Sequence, residues 1–277
     1  MAGAVIADIQ QSSVHDGPGF RTTVFFKGCQ MRCPWCHNPE TISFEPEMLH
    51  YPEKCIGCGK CDEGCFSGAR IPCGRRMSVA DVFREIERDM PYYGADGGVT
   101  LSGGEPLCQP AFARELLERC REAGVGAAIE TNLGVPWEIA EPVLSLCSVV
   151  MADLKLWDEA EHMRWVGASN RPVKENLSRI AALGMPLVLR TPIVPGVNAT
   201  REQIAPIAEF AARLPNLRYY ELLSYHPLGL SKLAALGREA REFEKPTREM
   251  MELLAGAATE AGVKVAVNGV RAGGRKC

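Results

Sequence analysis

The run Gly28-Cys-Gln-Met-Arg-Cys-Pro-Trp-Cys-His37 places Cys29, Cys33 and Cys36 at C-x3-C-x2-C spacing. Three thiolates on one short loop suit an iron–sulfur cluster, because soft sulfur ligands hold iron. A cubane cluster has about four irons, so three cysteines leave one iron without a protein ligand. That iron can bind a reactant, as the open position of any catalytic metal does. We therefore expect a catalytic cluster on this loop.

The alternatives for this run are a zinc knuckle and three buried thiols. Zinc usually takes a fourth ligand at knuckle spacing. Only His37 is close enough in sequence, and a residue directly beside Cys36 can hardly reach the same ion.

The composition agrees with an iron–sulfur protein. The chain has 277 residues and 12 cysteines, and seven of these fall between Cys29 and Cys65. Cysteines clustered in this way, without a visible signal peptide, indicate metal binding rather than disulfides. The net charge of -3 does not favour nucleic acid as a partner. Because no apolar run approaches the ~18 residues of a membrane span, we expect a cytoplasmic protein that does not contact a membrane.

The remainder of the chain alternates short apolar runs with amphipathic stretches, which predicts an α/β fold with a parallel sheet. The predicted strands are Thr22–Lys27, Val99–Ser102, Ala127–Glu130, Val149–Lys155, Pro186–Thr191, Leu217–Leu223 and Val263–Val267. The predicted helices are Pro110–Ala123 and Thr247–Ala261, with others beginning near Ser78, Pro136, Pro172 and Thr200. The run from Ser78 to Asp81 resembles a capping box in which Asp replaces Glu.

Residues 37–77 interrupt this alternation and show little regular periodicity. They contain Cys55, Cys58, Cys61 and Cys65 at the C-x2-C-x2-C-x3-C spacing of a bacterial ferredoxin, so we predict a second iron–sulfur cluster, with a zinc site as the alternative. In two-cluster ferredoxins the fourth cysteine of such a run binds the other cluster, and this chain has no second complete run. The fourth ligand could therefore be Cys65, or one of two cysteines outside the run, Cys73 or Cys108.

Polar residues follow the predicted strands at their carboxyl ends, where parallel α/β folds place their active sites. A glutamate there can accept hydrogen bonds from an ammonium group, and a lysine or arginine can bind a carboxylate. Together they describe a ligand shaped like an amino acid. These residues are Gly103, Gly104, Glu105, Glu130, Thr131, Asn132, Asp153, Lys155, Arg190 and His226.

This set of motifs resembles the radical S-adenosylmethionine superfamily, and more closely the glycyl radical enzyme activating enzymes. The resemblance runs nearly from end to end. The resemblance rests on these stretches of sequence: His15 to Gly19 with Arg21, Cys29 to Glu40, Gly98 to Leu107, Glu130 to Asn132, Met151 to Lys155, Arg190 with Val194 to Gly196, and Leu222 to Gly229. It implies a partial (β/α)6 TIM-type barrel formed by residues 1–40 and 75–270. Residues 41–74 would be a ferredoxin-like insertion, and 271–277 a flexible tail.

The resemblance also assigns roles. Cys29, Cys33 and Cys36 would hold the catalytic [4Fe–4S] cluster, and the methionine part of S-adenosylmethionine would chelate its open iron. Gly103 to Glu105 would receive the ammonium group, and Lys155 or Arg190 the carboxylate. Trp35, His37 and His226 would lie beside the nucleoside. Glu130, Thr131, Met151 and Asp153 would form a monovalent-cation site, although relatives often have Asp-Thr-Asn-Gly where this chain has Glu130 to Leu133.

The activity implied is reductive cleavage of S-adenosylmethionine, after which the 5′-deoxyadenosyl radical removes a hydrogen from a glycine of a partner glycyl radical enzyme. Asp16 would help to dock the partner's glycine loop. A flavodoxin or ferredoxin would donate the electron, and the enzyme would be a monomer. Two other functions stay open: a radical S-adenosylmethionine enzyme that acts on a small molecule or peptide, and an iron–sulfur electron carrier without catalysis.

Overall fold

The computed structural model describes residues 3–61 and 64–271. Its strands are Ala4–Ser13 (β1), Arg21–Phe26 (β2), Glu47–His50 (β3), Arg70–Cys73 (β4), Arg75–Met77 (β5), Gly98–Gly103 (β6), Gly126–Thr131 (β7), Val149–Asp153 (β8), Leu187–Ile193 (β9), Leu217–Ser224 (β10), Val265–Val267 (β11) and Val270–Arg271 (β12). Its α-helices are Val79–Glu87 (α1), Pro110–Glu122 (α2), Trp137–Leu144 (α3), Glu159–Val166 (α4), Arg171–Ala182 (α5), Arg201–Ala212 (α6), Leu228–Ala235 (α7) and Arg248–Glu260 (α8).

The main sheet has the strand order β12-β11-β10-β9-β8-β7-β6-β2-β1-β5. Strands β2 and β6 to β10 are parallel neighbours, and helices connect successive strands. This is the arrangement of a partial (β/α)6 barrel, as predicted. Strand β11 adds to it in parallel, whereas β1, β5 and β12 pair antiparallel at the two edges. The carboxyl ends of the parallel strands therefore meet at one mouth.

Local signals place the helix ends where we expected them. Ser78 caps α1, because its side chain accepts from the Asp81 backbone N–H while Asp81 accepts from the Ser78 N–H; the capping box is confirmed. Helix α2 has Pro110 in its first turn, and Gly124 just beyond it takes a left-handed φ of 72°.

The core lies between the sheet and the helices that cover it. Leu101, Ile129 and Leu189 are completely buried on β6, β7 and β9 and belong to one continuous hydrophobic cluster. The interior also holds a buried cation, since Arg21 donates to Thr100 Oγ1 at 2.6 Å and to the Val99 carbonyl at 2.6 Å. These bonds fasten the start of β2 to β6.

The structure adds elements that the sequence patterns missed. Strand β1 carries several exposed polar residues and lacks a clean alternation, and α4 and α7 have only eight residues each. Residues 37–77 are more regular than we expected. Strands β3 and β4 pair as a separate two-stranded sheet, and β5 returns the chain to the main sheet beside β1.

No helix within residues 3–61 and 64–271 combines the length and the apolar character needed to cross a membrane. The predicted flexible tail lies, apart from Arg271, outside the described residues.

Candidate functional site

A cavity of about 310 Å³ opens at the mouth of the barrel. Its walls come from the loop after β2 and from the carboxyl ends of β6 to β10. The predicted site residues that line it are Cys29, Cys33, Trp35, Cys36, His37, Gly103, Gly104, Glu130, Thr131, Asp153, Lys155, Arg190 and His226. Residues from six separate stretches of chain therefore meet at one place.

The cysteine loop is held by the segment that follows it. The Gly28 N–H donates to the Thr41 carbonyl at 2.8 Å, and the Cys29 N–H donates to the Ile42 carbonyl at 3.1 Å. Burial raises the pKa of Cys29 and of Cys33, and raises that of Cys36 to about 12. As free thiols these groups stay protonated at neutral pH, so a metal that binds them must displace protons.

Two cations lie on the wall formed by β8 and β9. Lys155 Nζ is 2.7 Å from Asp153 Oδ2. Burial alone lowers the pKa of Lys155, but the Asp153 carboxylate more than offsets it, so the net shift is upward. Arg190 bridges two carboxylates, with Nη1 2.6 Å from Glu130 Oε1 and Nε 3.0 Å from Glu221 Oε2. Both side chains remain charged at physiological pH.

The structure gives Glu105 a structural role that the sequence did not indicate. Its side chain is completely buried and is not among the residues that line the cavity. Its carboxylate accepts from the Leu107 N–H at 3.0 Å, from Thr131 Oγ1 at 2.7 Å and from the Asn132 N–H at 2.7 Å. Glu105 therefore organises the loop after β7, and its part in receiving an ammonium group stays a prediction.

The two glycines before Glu105 are required by the chain's own packing. Gly103 has a φ of 108°, and a Cβ there would lie 2.4 Å from the Phe26 nitrogen. A Cβ on Gly104 would lie 2.5 Å from the Gly28 carbonyl oxygen. Side chains at these positions would push the end of β6 away from β2 and from the cysteine loop. Both glycines line the cavity, as a receptor for a bound ligand must. Their role as ammonium receptors stays a prediction.

The side of the site that is predicted to bind the nucleoside has one tryptophan and two histidines. The Trp35 ring packs 6.2 Å from the rings of Trp165 and Phe243, which limits its rotation. His37 and His226 are exposed at the rim of the cavity. Partial desolvation by the cavity walls and the nearby Lys232 lower the pKa of His37, so its imidazole is neutral at physiological pH.

The predicted monovalent-cation ligands already have partners within the chain. Glu130 pairs with Arg190 and accepts from Ser102 Oγ at 2.6 Å, and Asp153 pairs with Lys155. The Thr131 hydroxyl donates to Glu105. The Met151 side chain lies in a small core cluster and not on the cavity wall.

The cysteines of the insertion differ in exposure. Cys55, Cys58 and Cys61 are exposed, and the half-exposed Cys65 has its sulfur 3.5 Å from Ser67 Oγ. Cys73, by contrast, is buried. In the described ranges no three His, Cys, Asp or Glu side chains are gathered around the position of a single metal ion.

Cys73 and Cys108 are both engaged elsewhere. The Cys73 sulfur donates to the Glu40 carbonyl, and the side chain packs in a core cluster with Leu49 and Ala235. The Cys108 sulfur donates to Gln30 Oε1 at 3.3 Å, beside the catalytic loop. Neither thiol lies on the surface with the exposed cysteines of the insertion.

Comparison with known proteins places this chain in a family. The Radical SAM superfamily model matches residues 23–211. The pyruvate formate-lyase 2-activating enzyme of Escherichia coli is 39% identical, over 96% of this chain and 93% of the relative. The indoleacetate decarboxylase activating enzyme of Tractidigestivibacter scatoligenes is 38% identical, over 96% of this chain and 97% of the relative. The chain belongs to the radical SAM glycyl radical enzyme activating enzymes.

Solved structures agree with this assignment. A domain of the pyruvate-formate lyase-activating enzyme from Bacteroides vulgatus is 31% identical, with a TM-score of 0.53 over 62% of this chain and 98% of that one. Streptococcus suis SuiB has a TM-score of 0.61 at 13% identity, over 87% of this chain and 47% of that one, which supports the fold alone.

Membership of this family implies a [4Fe–4S] cluster and S-adenosylmethionine. The residues of this activating enzyme fit both groups. Three thiols of one loop line the cavity, which is the donor set for a cluster with one open iron. The largely buried side chains of Lys155 and Arg190 suit a carboxylate, and the polar edges of β6 and β7 suit an ammonium group.

Two residues of the site were not predicted in their observed roles. Glu221 is buried within β10 and holds Arg190; its signal was a lone carboxylate inside a mostly apolar strand. Asn132 was noted only as a strand-end residue, and its side chain contacts Cys29.

Proposed function

We propose that this activating enzyme uses S-adenosylmethionine, bound in the mouth cavity, to generate a glycyl radical on a partner enzyme. The observation that carries the proposal is the convergence of Cys29, Cys33 and Cys36 with Lys155 and Arg190 on one cavity. When bound, the cluster and its ligand would supply the electron and the carbon radical that removes a hydrogen from glycine.

The chain's own residues would bind and orient. Lys155 or Arg190 would pair with the methionine carboxylate, and the backbone of Gly103 and Gly104 would approach the ammonium group. His37 and His226 stand at the rim, where a nucleoside would be enclosed. The barrel walls would exclude water from the reacting atoms and keep them aligned.

Replacing Cys29, Cys33 and Cys36 together by Ala tests this proposal. The anaerobically reconstituted parent protein should contain about eight irons and eight sulfides for two clusters, and the variant about half. The variant should release no 5′-deoxyadenosine with dithionite. If cleavage persists, the site assignment is wrong; if the parent cleaves without radical formation on any partner, the enzyme acts on a small molecule or peptide instead.

We further propose a second [4Fe–4S] cluster on Cys55, Cys58, Cys61 and Cys65. The choice of Cys65 as fourth ligand is supported by its partial exposure and by the Ser67 hydroxyl beside its sulfur, since hydrogen bonds to sulfur are usual around such clusters. Cys73 is disfavoured as a ligand. Recruiting it would break its hydrogen bond to the Glu40 carbonyl and disrupt its hydrophobic packing against Leu49.

The choice between Cys65 and Cys73 is testable by metal content. We expect Cys65→Ser to lose about half of the iron and Cys73→Ser to keep it, because only the first would remove a ligand. The absorption and electron paramagnetic resonance of the reduced proteins provide a second readout. Loss of the cluster in Cys73→Ser alone would reverse the assignment, and loss in neither would point to Cys108.

Further proposals concern partners and setting. We propose a flavodoxin or ferredoxin as electron donor, a monomeric enzyme, and the cytoplasm as compartment, since the eleven cysteines of the described ranges are all free thiols. Residues 41–74 would be the inserted domain; the separate β3–β4 sheet supports this boundary. A monovalent cation would have to displace the pairs that Glu130 and Asp153 now make.

A further inference from the structure

The Asn132 side chain is held in one orientation at the carboxyl end of β7. Its Oδ1 accepts from Gln30 Nε2 at 2.8 Å and from the Gly134 backbone N–H at 2.9 Å. A backbone N–H can only donate, so the Gly134 bond identifies the oxygen of the amide. The amide nitrogen is thereby directed to the opposite side.

On that opposite side, Asn132 Nδ2 lies 3.6 Å from Cys29 Sγ, within hydrogen-bonding distance of sulfur. The backbone of Asn132 is fastened as well, because its N–H donates to Glu105 Oε2 at 2.7 Å. Asn176 holds the next turn of the loop by donating to the carbonyls of Leu133 at 3.0 Å and Val135 at 2.8 Å. The amide is buried and has little freedom to turn away.

We propose that Asn132 is a positioning residue that donates an N–H to the Cys29 thiolate of the catalytic cluster and raises the reduction potential of that cluster. The inference rests on the proposed cluster at Cys29, Cys33 and Cys36. Reduction adds negative charge that the sulfur ligands share, so a donor aimed at one of them stabilises the reduced state more than the oxidised state. Asn132 thereby eases the electron uptake that precedes cleavage.

The same geometry explains the structural role of Glu105. Its carboxylate receives both the Asn132 N–H and the Thr131 hydroxyl, so it anchors the two residues that begin the loop. The glutamate of the Gly-Gly-Glu run thus acts through Asn132 on the cysteine loop, which lies 103 residues away in sequence from Asn132.

The test is a redox titration of Asn132→Ser in the reconstituted full-length protein, followed by electron paramagnetic resonance. Serine can still accept from the Gly134 N–H and keep the turn, but its shorter side chain cannot reach Cys29. We expect a more negative midpoint potential for the catalytic cluster, with a reduced-to-oxidised ratio at fixed solution potential about threefold or more below wild type. The variant lacking the three catalytic cysteines supplies the signal of the inserted cluster for subtraction.

Asn132→Asp is the second variant. It keeps the size of the side chain and the acceptor for Gly134, but it replaces the N–H donor with a negative oxygen. We expect a shift in the same direction and larger. The two substitutions disturb the loop in different ways, so a folding defect in one of them leaves the other to be measured.

Asn176→Ala is the matched control, because it loosens the same loop and leaves the N–H donor in place. Its potential should shift much less than that of Asn132→Ser. Equal shifts in Asn176→Ala and Asn132→Ser would overturn the proposal in favour of loop order, and a wild-type potential in both Asn132 variants would overturn it outright. In either case, cleavage of S-adenosylmethionine by the wild type would leave the proposed function standing.

Discussion

At the residue scale, Glu105 shows how a buried carboxylate can serve the fold. Three donors from its own chain lower its pKa, but burial has the larger effect and raises that pKa to about 7. The side chain lies where β6, the turn after it and the loop after β7 come together. Its protonation therefore depends on how tightly this junction is closed.

The pKa of Glu105 predicts a pH dependence of stability. A carboxyl whose pKa is higher in the folded state contributes its full stability below the ordinary carboxyl pKa. That contribution is lost as the pH rises from about 5 to about 7. We expect the free energy of unfolding of wild type, relative to Glu105→Gln, to fall by about 2 kcal/mol over this range.

Urea unfolding at a series of pH values measures this difference. Glu118→Gln, at a partly exposed glutamate on α2, is the control and should follow wild type. Parallel pH curves for wild type and Glu105→Gln would show that Glu105 binds no extra proton in the folded state.

At the element scale, a buried ion pair joins the insertion to the barrel. Lys27, directly after β2, is completely buried, and its Nζ lies 2.9 Å from Glu47 Oε2 at the start of β3. The same ammonium donates to the Glu40 carbonyl at 2.6 Å. Glu47 also pairs with Arg238, which follows α7. The small sheet is thus fastened beside the cysteine loop.

The two partners of this pair should not cost the same to remove. Glu47→Leu leaves a buried ammonium without its counter-charge, which we expect to lower the free energy of unfolding by roughly 3 kcal/mol. Lys27→Met leaves Glu47 with Arg238 and partial solvent access, and should cost roughly half as much.

Guanidinium unfolding of both variants, with the double variant to complete the cycle, measures this asymmetry. Equal costs for the two single variants would mean that solvent compensates Lys27 when Glu47 is absent. Iron content should be measured in parallel, because loosening of the small sheet is expected to weaken the inserted cluster first.

At the scale of the whole molecule, the segment that should meet the partner is tied to the barrel. Asp16 Oδ2 accepts from Ser13 Oγ and Thr23 Oγ1, both at 2.7 Å, and the Asp16 carbonyl accepts from Thr100 Oγ1 at 2.6 Å. Asp16 therefore shapes the loop between β1 and β2 whether or not it contacts a partner. Its charge and its hydrogen bonds must be tested separately.

We expect Asp16→Ala to reduce glycyl radical formation on the partner far more than uncoupled release of 5′-deoxyadenosine. Asp16→Asn keeps an acceptor for both hydroxyls but removes the charge. If the carboxylate itself binds the partner, Asn should behave like Ala; if it only orders the loop, Asn should behave like wild type. Electron paramagnetic resonance of the partner and product release give the two measurements. An equal fall in both quantities for either variant would place Asp16 in the cofactor site or the fold.

The sequence by itself determined the features that depend on neighbours along the chain. The spacing of Cys29, Cys33 and Cys36 puts three thiols on one loop whatever surrounds it. The capping box at Ser78 needs only residues three apart. The alternation of strands and helices predicts a parallel sheet, and parallel order gathers the strand ends at one mouth, so most of the site could be predicted.

Only the tertiary structure decided which of these groups face one another. Arg190 meets Glu130 across 60 residues of sequence, and Asn132 meets Cys29 across 103. Such contacts follow from strand register and from packing between elements, and neither is encoded in a local pattern. The same holds for Glu105, whose motif suggested a ligand but whose side chain is buried by the closure of β6 onto the loop after β7.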